Sequence, residues 1–297
     1  MPTARAALTF DSEFLQRLEY LNVVARKILS GVMRADRQSI RKGVSAEFAD
    51  HRPYVPGDDI RHVDWHLYGR LEEVFLKLYE EEEDLHLSIL VDVSPSMDRG
   101  TRTKLDYALQ VTAALAYIGM SNMDRVNVIP VTDRLGDGRW RLKGRGQIHG
   151  LFDYLREVEA TGTTDLGRAL EEFVARERRR GVVCVISDFY DIDHFRAGLK
   201  FLRYPKHDIY TIQVVDPEER DPPLRGDLRL VDAETGADRA INVTDGLRAR
   251  YRAAFEELLL SVERFCVQNE MGYVRALTDV PFDQLVLKIL RRGGLVG

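Results

Sequence analysis

Apolar residues recur at helical spacing from Glu13 to Leu29 (Phe14, Leu15, Leu18, Leu21, Val24, Ala25, Ile28, Leu29), which predicts a helix capped by Asp11 or Ser12. The pattern changes at Leu85. Leu85, Leu87, Ile89, Leu90 and Val91 form a short aliphatic run, and Val182 to Ile186 forms another. Continuous runs of this length predict strands buried on both faces. Further strands are predicted over Val74–Tyr79, Arg125–Val131, Arg139–Lys143, Ile209–Val215 and Tyr273–Leu277, with Pro130 marking a place where its strand bulges or ends. Asp227–Val243 reads as a hairpin around Glu234-Thr235-Gly236.

Helices are predicted over Lys104–Met120, Leu151–Val158, the stretch from the Thr161–Asp165 loop through Arg179, His194–Tyr204, Leu247–Asn269 and Phe282–Arg292, with Gly181 breaking the third. Strands alternating with helices over roughly 200 residues predict an α/β fold with a doubly wound, mostly parallel sheet flanked by helices. Two regions follow from this pattern. Residues 1–80 hold the N-terminal helix, a basic polar connection (Arg34, Arg37, Arg41, Lys42) and a small β extension, expected to pack on the main domain. Residues 81–297 form the sheet domain, with the hairpin near 227–243 inserted in it.

Composition narrows the function classes. Of 297 residues, 44% are hydrophobic and 31% charged, and the net charge of −5 gives no general attraction for nucleic acid or anionic membrane. The basic hairpin Arg134, Arg139, Arg141, Lys143, Arg145 carries one aromatic, Trp140, and reads as a solvated hairpin. Cys184 and Cys266 form no CxxC pair, which argues against zinc and a disulfide framework and fits a reducing compartment. No apolar run approaches the ~18 residues a bilayer span needs, and the amino terminus lacks a signal-peptide core, so the expected location is cytoplasmic. The five consecutive acids Glu80–Asp84 read as a solvated run.

The candidate chemistry follows the Leu85 run. Asp92-Val93-Ser94-Pro95-Ser96 sets a carboxylate and two hydroxyls at two-residue spacings, and Pro95 ends the strand. Such a segment is either an ordinary strand-to-helix turn or a set of oxygen ligands for a hard cation, Mg²⁺ or Mn²⁺. Two more loops fall at the same edge of a parallel sheet. Asp188 follows the Val182 strand, with Asp191 and Asp193 near it, while Thr163 and Thr164 precede a helix that they could instead cap.

In this order the loops resemble the metal-ion-dependent adhesion site of von Willebrand factor A-type domains. Asp92, Ser94 and Ser96 match its DxSxS, Thr164 (or Thr163) its threonine, and Asp188 its later aspartate. A second stretch, Arg52-Pro53-Tyr54-Val55-Pro56-Gly57-Asp58-Asp59-Ile60-Arg61-His62-Val63-Asp64-Trp65, is similar to the YxPGDDxRxxDW signature of the bacterial domain-of-unknown-function family fifty-eight. That resemblance implies a von Willebrand factor A-like domain after the signature, and a MoxR-type AAA+ ATPase or its client as partner. From the residues alone, the signature predicts a turn at Pro56-Gly57. Asp58 and Asp59 would pair with Arg52, Arg61 or Arg70, and Tyr54 and Trp65 would pack the turn.

Enzyme readings have less support. GxxxxGK[ST], GxGxxG, HExxH and GxSxG are all absent. A phosphohydrolase centred on Asp92 would want a second aspartate two residues on, where Ser94 stands. His62 and His66 are four residues apart, but the neighbouring Pro-Gly turn and Trp65 argue against a helix that would pair them. The expectation is a non-catalytic, metal-dependent interaction module. A phosphohydrolase and a metal-free scaffold of the same fold stand as alternatives.

Overall fold

The computed structural model describes residues 10–36, 47–80, 85–98, 103–203, 207–231 and 237–291. In chain order the elements begin with α1 (Ser12–Asp36), β1 (Glu47–Pro53), α2 (Trp65–Leu71), β2 (Phe75–Glu80), β3 (His86–Asp92) and α3 (Lys104–Ser121). Next come β4 (Arg125–Val131), β5 (Arg139–Leu142), α4 (Ile148–Glu157), α5 (Leu166–Arg176), β6 (Val182–Ser187) and α6 (Ile192–Arg203). The chain closes with β7 (Asp208–Val215), α7 (Pro217–Arg220), β8 (Gly226–Val231), β9 (Asp238–Val243), α8 (Asp245–Gln268), β10 (Gly272–Leu277) and α9 (Phe282–Arg291). Residues 29–84 form one compact unit and the chain on either side forms the other, so the division falls at 84/85 and the part of α1 up to Ile28 belongs with the sheet.

In the larger unit the sheet order is β10-β7-β6-β3-β4-β5, parallel throughout except for β5, which runs antiparallel at the edge. The two aliphatic runs of the sequence are its central strands, β3 and β6, and every residue of β6 is buried. Helices cover both faces. Leu87, Ile89 and Val91 of β3 pack in one layer with Phe14, Leu18 and Leu21 of α1 and with buried residues of α3, α4 and α9. Leu90 faces the other layer, with Leu170 and Phe173 of α5, Phe195 and Leu199 of α6, and Cys266 of α8. Such two-sided cover is why these strands read as unbroken apolar runs. Gly181, just before β6, lies so near β3 that an added Cβ would run into the His86 carbonyl. Gly167 and Gly198 bring α5 and α6 together, where a Cβ on Gly198 would stand 2.7 Å from the Gly167 Cα.

Several expectations need correction. Pro130 does not end β4: it lies beyond the β5 pairing, which reaches Val126 and Val128, so its missing N–H costs no ladder bond on that side. The helix α5 stops at Arg176, before Gly181, because Glu177 turns to an extended conformation. Residues 31–36 continue α1 instead of forming a polar connection, and the rest of that basic stretch, 37–44, lies outside the described residues. Residues 81–84 of the acid run and the hairpin turn at 232–236 lie outside them too, while the hairpin arms are β8 and β9 in antiparallel register. Among the described residues, no helix is long and apolar enough to cross a membrane.

The smaller unit holds the Pro-Gly-Asp-Asp segment between β1 and β2, which pair antiparallel. Arg52 donates to Asp58 (2.6 Å) and Arg61 to Asp59 (2.6 Å), the ion pairs expected from the signature. Gly57 takes φ 105°, a conformation that side chains disfavour, at the turn. Trp65 does not pack the turn: it is 64% exposed, in T-shaped contact with Tyr68. A helix does form here, against expectation. Asp64 caps α2 by accepting from the N–H groups of His66 (3.0 Å) and Leu67 (3.1 Å), and it also accepts from His51 (2.9 Å). The cap falls between His62 and His66, so the two histidines share no helix face.

Candidate metal centre

Parallel strands in register bring their carboxyl ends to one edge, and there β3, β6 and β7 deliver the residues of interest. Asp92 is the last residue of β3 and fully buried. Its Oδ1 accepts from the Ser94 backbone N–H (2.9 Å), which folds the chain back on itself before the short turn Pro95–Met97. Its Oδ2 accepts from the Ser187 hydroxyl (2.6 Å) at the end of β6, and that hydroxyl in turn accepts from the Phe189 N–H (2.9 Å). The Ser94 and Ser96 hydroxyl oxygens are 3.1 Å apart, and Ser96 donates to Asp188 Oδ2 (2.8 Å). Asp188 Oδ1 accepts from the Tyr190 N–H (3.2 Å), and Gln213 of β7 donates to the Asp188 carbonyl (3.4 Å).

Four of the five residues singled out by the sequence, Asp92, Ser94, Ser96 and Asp188, therefore lie in one small group. The fifth, Thr164, is half-buried on a loop tied to the end of β3 by the Thr161 N–H donating to the Val93 carbonyl (2.8 Å). Thr163 on the same loop is exposed. The cap of α5 is Asp165, which accepts from the Arg168 N–H (3.0 Å), so neither threonine has that role. Asp165, Asp191 and His194 gather nearby with ligand atoms within 4.8 Å of one another, although Asp191 is already engaged by His194 Nδ1 (2.7 Å).

The sequence reading missed a cation. Lys104, the first residue of α3, is completely buried, and its ammonium donates to Asp188 Oδ2 (2.8 Å) and pairs with Glu219 Oε1 of α7 (2.7 Å). It also lies 4.5 Å above the Tyr190 ring. Burial alone would push its pKa down, but Asp188 and Glu219 outweigh that and hold it above the ordinary lysine value. The signal was faint: α3 is buried nearly all round, and a lysine on such a helix has to find carboxylates inside.

Among the described residues, Asp92 has no such partner. Its hydrogen-bond donors, from Ser187 and Ser94, are neutral, so burial first, and then repulsion from Asp188, raises its pKa to about 6. Among the described residues, the cluster holds the carboxyls of Asp92, Asp188 and Glu219 against the ammonium of Lys104, and full ionisation of these groups leaves a surplus of two negative charges. One divalent cation balances that surplus. The oxygens also suit one. Octahedral Mg²⁺ at about 2.1 Å from its ligands sets adjacent oxygens about 3 Å apart. The Ser94–Ser96 and Ser96–Asp188 separations are 3.1 and 2.8 Å. The donor set of hydroxyls and carboxylates is that of a hard cation, and the residues present fit the group.

The family described as "Protein of unknown function DUF58" matches residues 50–258, and the chain belongs to it. An uncharacterized protein of Mycobacterium tuberculosis (strain ATCC 25618 / H37Rv) is 27% identical over 249 residues, covering 82% of this chain and 78% of its own length. An uncharacterized protein of Mycobacterium avium is 34% identical over 166 residues, 53% of this chain and 98% of its own length. Among solved structures, the conserved hypothetical protein BatB from Bacteroides thetaiotaomicron is similar at 14% identity and a TM-score of 0.40, covering 70% of this chain and 98% of its own. An aerotolerance-related membrane protein from Bacteroides fragilis is similar at 16% identity and a TM-score of 0.42, covering 70% and 97%.

Proposed function

We propose that this DUF58 protein is a non-catalytic interaction module with a von Willebrand factor A-like sheet, which grips a partner's carboxylate through a metal-ion-dependent adhesion site. Asp92, Ser94, Ser96, Thr164 and Asp188 would hold Mg²⁺ or Mn²⁺, directly or through water. The ion supplies a hard Lewis-acidic point that keeps exchangeable positions, one of which an acidic side chain can take. The observation that carries this reading is Asp92, a buried carboxylate whose donors among the described residues are neutral, beside the Ser94–Ser96–Asp188 oxygens. Ser187 and the Ser94 N–H orient Asp92, while Lys104 and the Tyr190 N–H orient Asp188. The proposed partner is a MoxR-type AAA+ ATPase or its client, and the support for it is the family resemblance of the Pro-Gly-Asp-Asp signature.

Affinity capture from the native cell tests this, with Mg²⁺ and again with chelator. An AAA+ ATPase retained in Mg²⁺, released by chelator and lost with Ser94→Ala is the expected result. Recovery of no AAA+ ATPase under either condition overturns the partner assignment.

A second reading, a phosphohydrolase centred on Asp92, is favoured by one observation, the ammonium of Lys104 beside the carboxylates. Against it, Ser94 stands where an acid would be wanted. Turnover of p-nitrophenyl phosphate that disappears in Asp92→Asn would promote it.

A further inference from the structure

Resting on the divalent-cation reading above, we propose that Lys104 is a tethered counter-cation that shares Asp188 with the divalent ion, holding the site together without the ion and lowering the affinity for it. Asp188 Oδ2 accepts from both the Ser96 hydroxyl (2.8 Å) and the Lys104 ammonium (2.8 Å), so one carboxylate oxygen serves the DxSxS loop and the lysine at once. The ammonium is completely buried, a position that requires paired carboxylates. It has a second seat on Glu219 Oε1 (2.7 Å), which keeps it partnered when Asp188 turns its charge toward an ion. Lys104 thereby ties three elements together: α3, the loop after β6 and α7.

Two consequences follow from the placement of charge. Without a divalent ion, Lys104 is the charge that makes Asp188 tolerable in the interior, so the protein folds before it is loaded. With the ion present, ammonium and ion are like charges competing for one carboxylate in a poorly screened environment, and the ion's affinity is set below what the oxygens alone would give. A partner carboxylate arriving at the ion adds the negative charge that this competition withholds. The loaded site and the bound partner then reinforce each other.

Isothermal titration of the full chain with MnCl₂ and MgCl₂, together with urea unfolding in chelator, tests this on wild type, Lys104→Met and Glu219→Gln. Lys104→Met should bind Mn²⁺ roughly tenfold or more tighter than wild type. In chelator it should unfold at lower urea than wild type, and Mn²⁺ should restore its midpoint by more than it shifts that of wild type. Glu219→Gln leaves the ammonium to Asp188 alone and should bind Mn²⁺ more weakly than wild type. A folded Lys104→Met that binds Mn²⁺ no tighter than wild type overturns the proposal. If Lys104→Met does not fold even in Mn²⁺, Glu219→Gln decides, and an unchanged Mn²⁺ affinity there overturns it. Absence of Mn²⁺ binding in all three proteins instead overturns the metal reading, and this proposal with it.

Discussion

Replacing Asp92 by asparagine keeps the shape of the side chain and removes its charge, which separates the electrostatic demand of the site from its packing. In the ion-free protein Asp92 is buried with neutral donors, and its pKa is carried from 3.8 to about 6. At about 1.4 kcal/mol per pKa unit, the ionised carboxylate costs the folded state on the order of 3 kcal/mol at neutral pH. The sign follows from the direction. An acid with a raised folded-state pKa favours the folded state fully below its unfolded value, and that contribution is lost as pH rises through about 6. In chelator, wild type should therefore lose stability relative to Asp92→Asn between about pH 4 and pH 7, by on the order of 3 kcal/mol. The difference between the two proteins cancels the other carboxylates that titrate in that window. Urea unfolding at several pH values measures it. Part of the gain is offset because the amide must donate to Ser187, whose oxygen already accepts from the Phe189 N–H. Adding Mn²⁺ at pH 7 should reverse the order, with wild type the more stable. A wild-type-minus-variant difference that stays flat across pH 4–7 would mean that Asp92 carries no buried charge, and equal stabilisation of both proteins by Mn²⁺ would mean that its charge does not hold the ion.

Three further perturbations probe the frame around the site. Leu18 of α1 is fully buried in the layer that covers β3, so Leu18→Ala should cost about 2–5 kcal/mol in urea unfolding, and no loss would mean α1 is not part of that core. Gly181→Ala pushes a Cβ against the His86 carbonyl, which belongs to the backbone of β3, and should cost about 1–3 kcal/mol; a neutral result would contradict the close approach of β3 and the start of β6. Asp64 is held at a pKa of about 2, chiefly by its hydrogen bond with His51, so it supports the 29–84 unit above the ordinary aspartate pKa and stops doing so as pH falls toward 2. Asp64→Ala should raise amide exchange across Trp65–Leu71 at neutral pH, and unchanged exchange there would count against Asp64 as the cap.

The parallel sheet was readable because its central strands announce themselves. Leu87–Val91 and Val182–Ile186 are buried on both faces, and burial of that kind leaves an unbroken apolar run. Helix ends were harder. Nothing in the apolar period of α5 distinguishes Arg176 from Arg179, because its last buried apolar residue is Phe173 and residues 178–180 are exposed. The helix α2 runs against expectation for a related reason: none of its residues is buried, so it carries no apolar stripe, and the Asp64 cap is its one local signal. At the candidate site, the grouping of Asp92, Ser94, Ser96 and Asp188 was legible because each lies at or just after the end of a buried strand of one parallel sheet, whose carboxyl ends share an edge. Lys104 and Glu219 were not, since each is an ordinary surface residue type and only the fold brings them to Asp188. The sequence leaves capping of α5 open to Thr163 or Thr164, and the structure gives that place to Asp165, because Thr164 and Asp165 are both good caps and only the backbone decides between them.

Whether the oxygens at the ends of β3 and β6 hold one divalent cation is read by calorimetric titration of wild type, Asp92→Ala and Ser96→Ala with MnCl₂. One Mn²⁺ should bind per wild-type chain at neutral pH, with affinity lowered roughly tenfold or more in each variant. Equal affinity in all three, or no binding in wild type, would contradict a cation held there.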